Sequence, residues 1–221
     1  MTLDRKQAVV KRSREYHSPL RAAQALDTRA RVLAAARTQF TKRGYAASTI
    51  AIVAREAEVS VHTIYGAFGS KIGLLKALMD VTVSGADDGV GILERSDPQL
   101  MRQETDQRRQ LTMFAAGMAG QLERLRPVDD ILRGAAAVDA EAAALRQDIQ
   151  QRQRRAAMRT VVGWVAARGP LRDSLTQEDA AAIVWTLTSP EVHALLQSPW
   201  GWSRDRYSLW LTDALISALL P

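Results

Sequence analysis

The sequence predicts an all-α protein in two parts, a small three-helix unit near the N-terminus and a larger helical domain behind it. Apolar residues recur three and four apart, alanine and leucine are abundant, and the period-two alternation of strands is scarce. The apolar stretches are separated at Gly69-Ser70, Asp97-Pro98, Arg126-Pro127, Gly169-Pro170, Ser189-Pro190, Ser198-Pro199 and Gly201, residue types that punctuate helices. A length of 221 residues suits a small basic domain and a larger one with a substantial core.

The first helix is expected from about Arg29 to Arg43. Asp27 or Thr28 can cap it, Val32, Leu33, Ala36 and Phe40 share its buried face, and Gly44 is a C-terminal stop. A second short helix follows Ser48 or Thr49, whose side-chain oxygens can accept from an orphan N–H, and carries Ile50, Val53, Ala54 and Ala57 at helical spacing. Glu58 and Val59 make a turn, and Ser60 caps a third helix whose Ile64 and Phe68 point inward. Its opposite face presents Val61, His62 and Tyr65, because positions i, i+1 and i+4 share one side of a helix. Two short helices joined this way form the unit that places a helix in the major groove of DNA.

Several spaced motifs in this order resemble the N-terminal domain of the tetracycline repressor (TetR) family. They are Thr28 to Ala36, Phe40 with Gly44-Tyr45, Ser48-Thr49-Ile50, Ala57-Glu58-Val59-Ser60, Thr63-Ile64-Tyr65, Phe68 and Ser70-Lys71, and the likeness covers about residues 28 to 78. The resemblance implies a dimeric, ligand-responsive transcriptional regulator. Departures from the family pattern fall at the reading surface. Glu58 stands where the turn usually has glycine, Val61 and His62 replace the commoner lysine and glycine, and Ala51 removes one possible base contact. Gly73 occupies the place where a glutamate often closes a capping box with Ser70.

Charge supports the same assignment independently. Residues 1 to 80 carry 14 Lys and Arg against 6 Asp and Glu, a net of +8, whereas residues 81 to 221 carry 16 against 18, a net of −2. A basic excess confined to the N-terminal third favours phosphate contact and a salt-dependent affinity. Residues 1–26 read as a basic flexible leader with Arg5, Lys6, Lys11, Arg12, Arg14 and Arg21, residues 27–70 as the helix-turn-helix DNA-binding domain, and residues 71–221 as the helical ligand-binding and dimerisation domain. No apolar run approaches the roughly 18 residues needed to span a bilayer, and no signal-type apolar segment follows the leader, so a cytoplasmic protein is expected. The absence of cysteine excludes disulfides, thiolate metal sites and a cysteine nucleophile.

Six further helices are expected near 71–94, 98–125, 128–144, 146–168, 177–196 and 204–219. The stretch 84–91 is poor in helix formers, so the first of these should fray or kink there, and Pro190 should kink the fifth. The last helix, capped by Ser203, is apolar on nearly all sides, with Tyr207, Trp210, Leu211, Ala214, Leu215 and Ala218 on one broad face and Leu209, Ile216 and Leu220 on the other. A second subunit is its natural cover, giving a homodimer interface of Trp185, Val192, Leu196, Tyr207, Trp210, Leu211, Ala214 and Leu215. Two recognition helices held about 34 Å apart would then read a palindromic operator in double-stranded DNA.

For a small-molecule effector the candidate lining is Met79, Met113, Phe114, Met118, Met158, Val161, Trp164 and Trp185. These side chains favour an apolar or aromatic ligand, although methionine and tryptophan at helical spacing are more often plain core. Gly117, Gly120 and Gly163 inside predicted helices leave room for close packing or for a ligand. The proposed DNA contacts are Val61 and His62 to bases and Tyr65 to a base edge or a phosphate, with Ser48, Thr49, Thr63 and Lys71 at phosphates. No cofactor, metal site or catalytic residue is expected. The three histidines lack paired metal spacing, no phosphate-binding glycine loop appears, and Asp87-Asp88 and Asp129-Asp130 read as solvated helix ends. The expected role is that of a transcriptional repressor; the alternatives are a helical dimeric interaction protein and, after it, an enzyme.

Overall fold

One 30-residue helix, α6 (Gln107–Ala136), runs through both cores of the protein. The computed structural model describes residues 19–221, with backbone alone for 19–22. Most of the basic leader, including Arg5, Lys6, Lys11, Arg12 and Arg14, lies outside the described residues, as does the side chain of Arg21.

The remaining helices are α1 (Pro19–Ala47), α2 (Ile50–Glu56), α3 (Val61–Phe68), α4 (Lys71–Ser84), α5 (Ser96–Gln103), α7 (Ala140–Gln147), α8 (Arg155–Ala166), α9 (Gln177–Leu187), α10 (Pro190–Gln197) and α11 (Arg204–Leu219). A 3-10 turn at Ile92–Glu94 and a π-helical segment at Asp148–Arg154 complete the secondary structure, and there is no strand among the described residues.

Helix α1 begins earlier than its sequence suggests, at Pro19. Asp27 does not cap it but pairs with Arg31 one turn on. Gly44 takes φ +75°, a left-handed value that breaks the helical path where a stop was expected, and a final turn follows to Ala47.

The larger domain departs from the expected helix list at four places. Helix α4 ends at Ser84, where left-handed Gly85 returns its N–H to Val81, so the poor helix formers of 84–91 produce a loop rather than a frayed end. The 98–125 segment divides at Glu104–Asp106, and its second part continues through Pro127. An interior proline costs about 3 kcal/mol in a helix, yet Leu122, Leu125, Val128, Ile131 and Leu132 are buried on both sides of it, each worth roughly 1.5–3 kcal/mol. The proline ring itself faces solvent. The expected 128–144 helix is split between the end of α6 and α7, and α7 runs on through the π segment into α8, so the expected break before 146 is absent. Pro190 opens a new helix at its first position, with Ser189 accepting from Val192 N–H, instead of kinking an existing one.

Packing divides along α6 rather than at residue 70. Its C-terminal half, from Leu125 to Ala135, joins α1, α2, α3, α4 and Ala142 in one core. Its N-terminal half, from Leu111 to Leu122, joins α8, α9 and α11 in the other. A displacement of α6 is therefore felt in both.

Candidate DNA-reading face and ligand cavity

The helix-turn-helix is built by three caps. Thr49 Oγ1 accepts from Ile52 N–H at 3.2 Å, Ser60 Oγ from Thr63 N–H at 3.0 Å, and Ser70 Oγ from Gly73 N–H at 3.1 Å. Helix α2 is closed from outside by Arg31, whose guanidinium donates to Ala57 O at 2.9 Å. Glu58 adopts φ +54°, the left-handed conformation that glycine takes without steric cost, so the turn keeps its backbone shape despite the substitution. Gly73 also has a geometric reason. A Cβ there would lie 2.0 Å from Phe68 O, so the short Gly69–Ser70 link between α3 and α4 leaves no space for a side chain.

On α3, Ile64 is buried, while Val61, His62, Thr63 and Tyr65 are all exposed. Thr63 Oγ1 lies 2.8 Å from Ser60 Oγ, which fixes the start of the helix. Two residues assigned to phosphates have different places. Ser48 is fully buried and donates to Gln39 O at 3.0 Å and Gly44 O at 2.8 Å, so its hydroxyl is committed to holding the end of α1 and cannot reach a phosphate. Lys71 is half-buried, with Nζ 4.1 Å from the centre of the Tyr45 ring, and burial lowers its pKa from the ordinary value. Lys42, Arg43 and Arg55, which the sequence reading passed over as individual sites, are exposed and have no ion-pair partner among the described residues. Their number in the basic N-terminal third was the available signal.

Between the two cores lies a cavity of about 900 Å³. Seven of the eight candidate lining residues meet there: Met79, Met113, Phe114, Met118, Met158, Val161 and Trp164. Gly117 and Gly120 lie on its wall, and Gly163 does not. Trp185 is not part of the lining. Its indole N–H donates instead to Gln150 O at 3.0 Å, and it stacks beneath Arg154, so it ties α9 to the π segment. That segment supplies Ile149, Gln150, Gln153 and Arg154 to the wall, with an extra residue per turn relative to an α-helix.

The cavity is more polar than expected, because Arg95, Arg124, Arg154, Asp97 and Asp129 also border it. Arg154 is spent on the C-terminal end of α9, donating to Trp185 O and Thr188 O at 3.0 Å each. Arg95 is paired with Asp88. The reading of Asp129-Asp130 as a solvated pair holds for Asp130, which is exposed and paired with Arg133, and fails for Asp129, which is only 5 % exposed. Buried and exposed residues alternate every three to four positions here because α6 packs on one side, and adjacency in sequence separates the two carboxylates.

Residues 32–78, from inside α1 to α4, match the family model of bacterial regulatory proteins, tetR family. This segment is similar to the DNA-binding domain of that family. No curated protein sequence matches the chain. Its TetR-type fold extends over the remaining helices. A protein of Mesorhizobium loti assigned as a TetR-family transcriptional regulator superposes with TM-score 0.66 at 18% identity, over 90% of this chain and 99% of that one. NalD of Pseudomonas aeruginosa, the secondary repressor of the MexAB-OprM multidrug efflux pump, superposes with TM-score 0.64 at 20% identity, over 87% of this chain and 96% of that one. A protein of Saccharomonospora viridis assigned as a transcriptional regulator and bound to choline gives TM-score 0.64 at 20% identity, over 88% and 98%.

Within this TetR-type fold the expected subunit contact needs revision. Tyr207, Leu211 and Leu215 are fully buried inside the protomer, where α11 packs on α6 and α9, so they cannot meet a partner. The Tyr207 hydroxyl donates to Leu187 O, and its ring contacts His193 edge-on at 4.7 Å. Trp185, Val192, Leu196, Trp210 and Ala214 are partly exposed. Leu195 at 61 %, Trp200 at 73 % and Leu209 at 70 % are the large apolar groups left open on α10, α11 and the link between them. A helix apolar on nearly all sides does not mark which side meets its own core, and Tyr207, Leu211 and Leu215 lie on that side. Among the described residues no helix is long and apolar enough to cross a membrane, and no three His, Cys, Asp or Glu side chains are grouped to hold a metal ion.

Proposed function

We propose that the protein is a homodimeric, sequence-specific transcriptional repressor whose operator affinity is set by a small molecule in the cavity. One observation carries this reading: α4 borders the cavity with Met79, Val83 and Ser84 and begins at Lys71, with only Gly69 and Ser70 between it and the end of the recognition helix at Phe68. A ligand that shifts the far end of α4 therefore alters the position of α3, and in a dimer it alters the separation of two reading helices that must fit adjacent major grooves.

In this reading Val61, His62 and Tyr65 face bases, and Thr49 and Thr63 face phosphates with Lys42, Arg43 and Arg55 near them. Lys71 acts mainly by bracing Tyr45. Val61 offers apolar contact to a thymine methyl, and His62 can donate to a purine N7. The second copy covers Leu195, Leu209, Trp210 and Leu196. The choline found in the Saccharomonospora viridis protein supports a small-molecule role for a cavity in this fold.

Selection of bound duplexes from a random pool, followed by titration of the winner against salt, tests this function. A palindrome bound with steep salt dependence, and released or tightened when a ligand fills the cavity, is the expected result. Equal weak binding to all duplexes would favour the interaction-protein alternative.

A further inference from the structure

The cavity wall carries one buried carboxylate. Asp129 is 5 % exposed and borders the cavity, and among the described residues no hydrogen bond or ion pair engages its carboxylate. The other charged groups on the wall are paired or exposed, with the Nε of Arg95 alone left without a partner while its terminal nitrogens hold Asp88. Arg154 is held by backbone carbonyls at the end of α9, Arg95 by Asp88, and Arg124 and Asp97 are exposed. Burying a carboxylate without a partner costs several kcal/mol, and a protein removes that cost by protonating the acid or by meeting it with a cation.

We propose that the effector is an organic cation with an apolar, aromatic body, whose protonated amine seats against Asp129. This rests on the reading of the cavity as an effector site. The rest of the wall matches such a ligand. Met79, Met113, Met118 and Met158 give it polarizable sulfur, and Phe114 and Trp164 give it aromatic faces for a flat ring system. An anionic ligand would meet Asp129 with repulsion and find no buried arginine free to compensate. Asp129 also lies on the part of α6 that packs with the DNA-binding helices, two residues from Pro127 and one from Val128, which is fully buried in that core. A cation drawn to Asp129 is thereby placed where it acts on both cores.

Three probes of one shape and different charge decide the matter: 1-pyrenemethylamine, 1-pyrenemethanol and 1-pyrenecarboxylate, titrated into the full-length dimer and followed by pyrene fluorescence anisotropy. The amine should bind about tenfold tighter than the alcohol, the size of effect expected of a charge-assisted hydrogen bond, with the carboxylate weakest. In Asp129→Asn the amine should lose that advantage while the alcohol binds as before, which shows that the cavity is intact. Equal binding of all three probes, or an amine preference that survives Asp129→Asn, would overturn the cation assignment and leave the effector cavity standing. Binding of none of them would overturn both.

Discussion

Arg29 Nε lies 2.5 Å from Asp87 Oδ2, and the same guanidinium sits 4.7 Å from the centre of the Phe68 ring. One side chain on α1 thus joins the end of the recognition helix to the loop that follows α4. That loop continues into Val90, Ile92 and Leu93, which border the cavity. Arg29 is a physical link between the cavity wall and α3, additional to α4 itself.

Asp87→Asn removes the charge and keeps the shape. Both partners are about 30 % exposed, so the stability loss should be modest, about 0.5–1 kcal/mol. The effect on regulation should be larger. The ratio of operator affinities with and without a bound ligand should fall about threefold or more, while affinity of the ligand-free protein for operator changes little. Arg29→Lys should behave like Asp87→Asn, because lysine keeps the charge and loses the planar stack on Phe68. Electrophoretic or anisotropy titrations with and without ligand measure the ratio; an unchanged ratio would leave α4 as the whole connection.

Glu58→Gly should stabilise the protein. The left-handed backbone of Glu58 costs a non-glycine residue about 1–2 kcal/mol, and glycine gives back part of that through the greater entropy of its unfolded chain. A net gain of about 0.5–1 kcal/mol in denaturant melts is expected. The reverse holds at Gly73, where alanine meets Phe68 O and forces the α3–α4 link to move. Gly73→Ala should cost more than about 2 kcal/mol and weaken binding to all DNA sequences equally.

Ser48 and His62 separate folding from reading. Ser48→Ala deletes a buried hydroxyl that satisfies two backbone carbonyls and should cost about 1–3 kcal/mol in stability, with the salt slope of DNA binding unchanged. His62→Ala should leave stability within about 0.5 kcal/mol and relax preference at one base position. An equal loss of affinity for every DNA sequence with stability unchanged in Ser48→Ala would return that hydroxyl to the phosphates.

The recognition unit was legible in sequence because its signals are local. Caps at Thr49, Ser60 and Ser70 and a face of Val61, His62 and Tyr65 are set by spacing within one or two turns. The cavity lining was legible in composition, since Met and Trp at helical spacing in fact converge there. What the sequence hid depends on long-range packing. Pro127 reads as a stop, and only the two cores that share α6 carry the helix past it. Tyr207, Leu211 and Leu215 read as an outer face because no local rule tells which side of an all-apolar helix meets its own core. Asp129 reads as solvated beside Asp130, and its burial follows from how α6 is turned, which adjacent residues do not encode.

The pH dependence of stability follows from Asp129. Burial, the first cause, lifts its pKa above the ordinary value of 3.8, and Glu191 and Asp130 push the same way, while Arg146 and Arg133 oppose; Arg154 is also within electrostatic range. The folded protein therefore keeps this proton to higher pH than the unfolded chain. The stabilising contribution is complete below about pH 3.8 and is lost as pH rises through the folded value. Asp129→Asn has no proton to lose. Its stability relative to the parent should rise as pH increases above about 3.8 and level off once the folded carboxyl has ionised, in denaturant melts of the ligand-free protein, and the difference should shrink when 1-pyrenemethylamine fills the cavity of the parent and supplies the missing positive charge. A difference that stays flat across that range would mean Asp129 titrates at its unfolded value, with a partner in solution that the buried geometry does not provide.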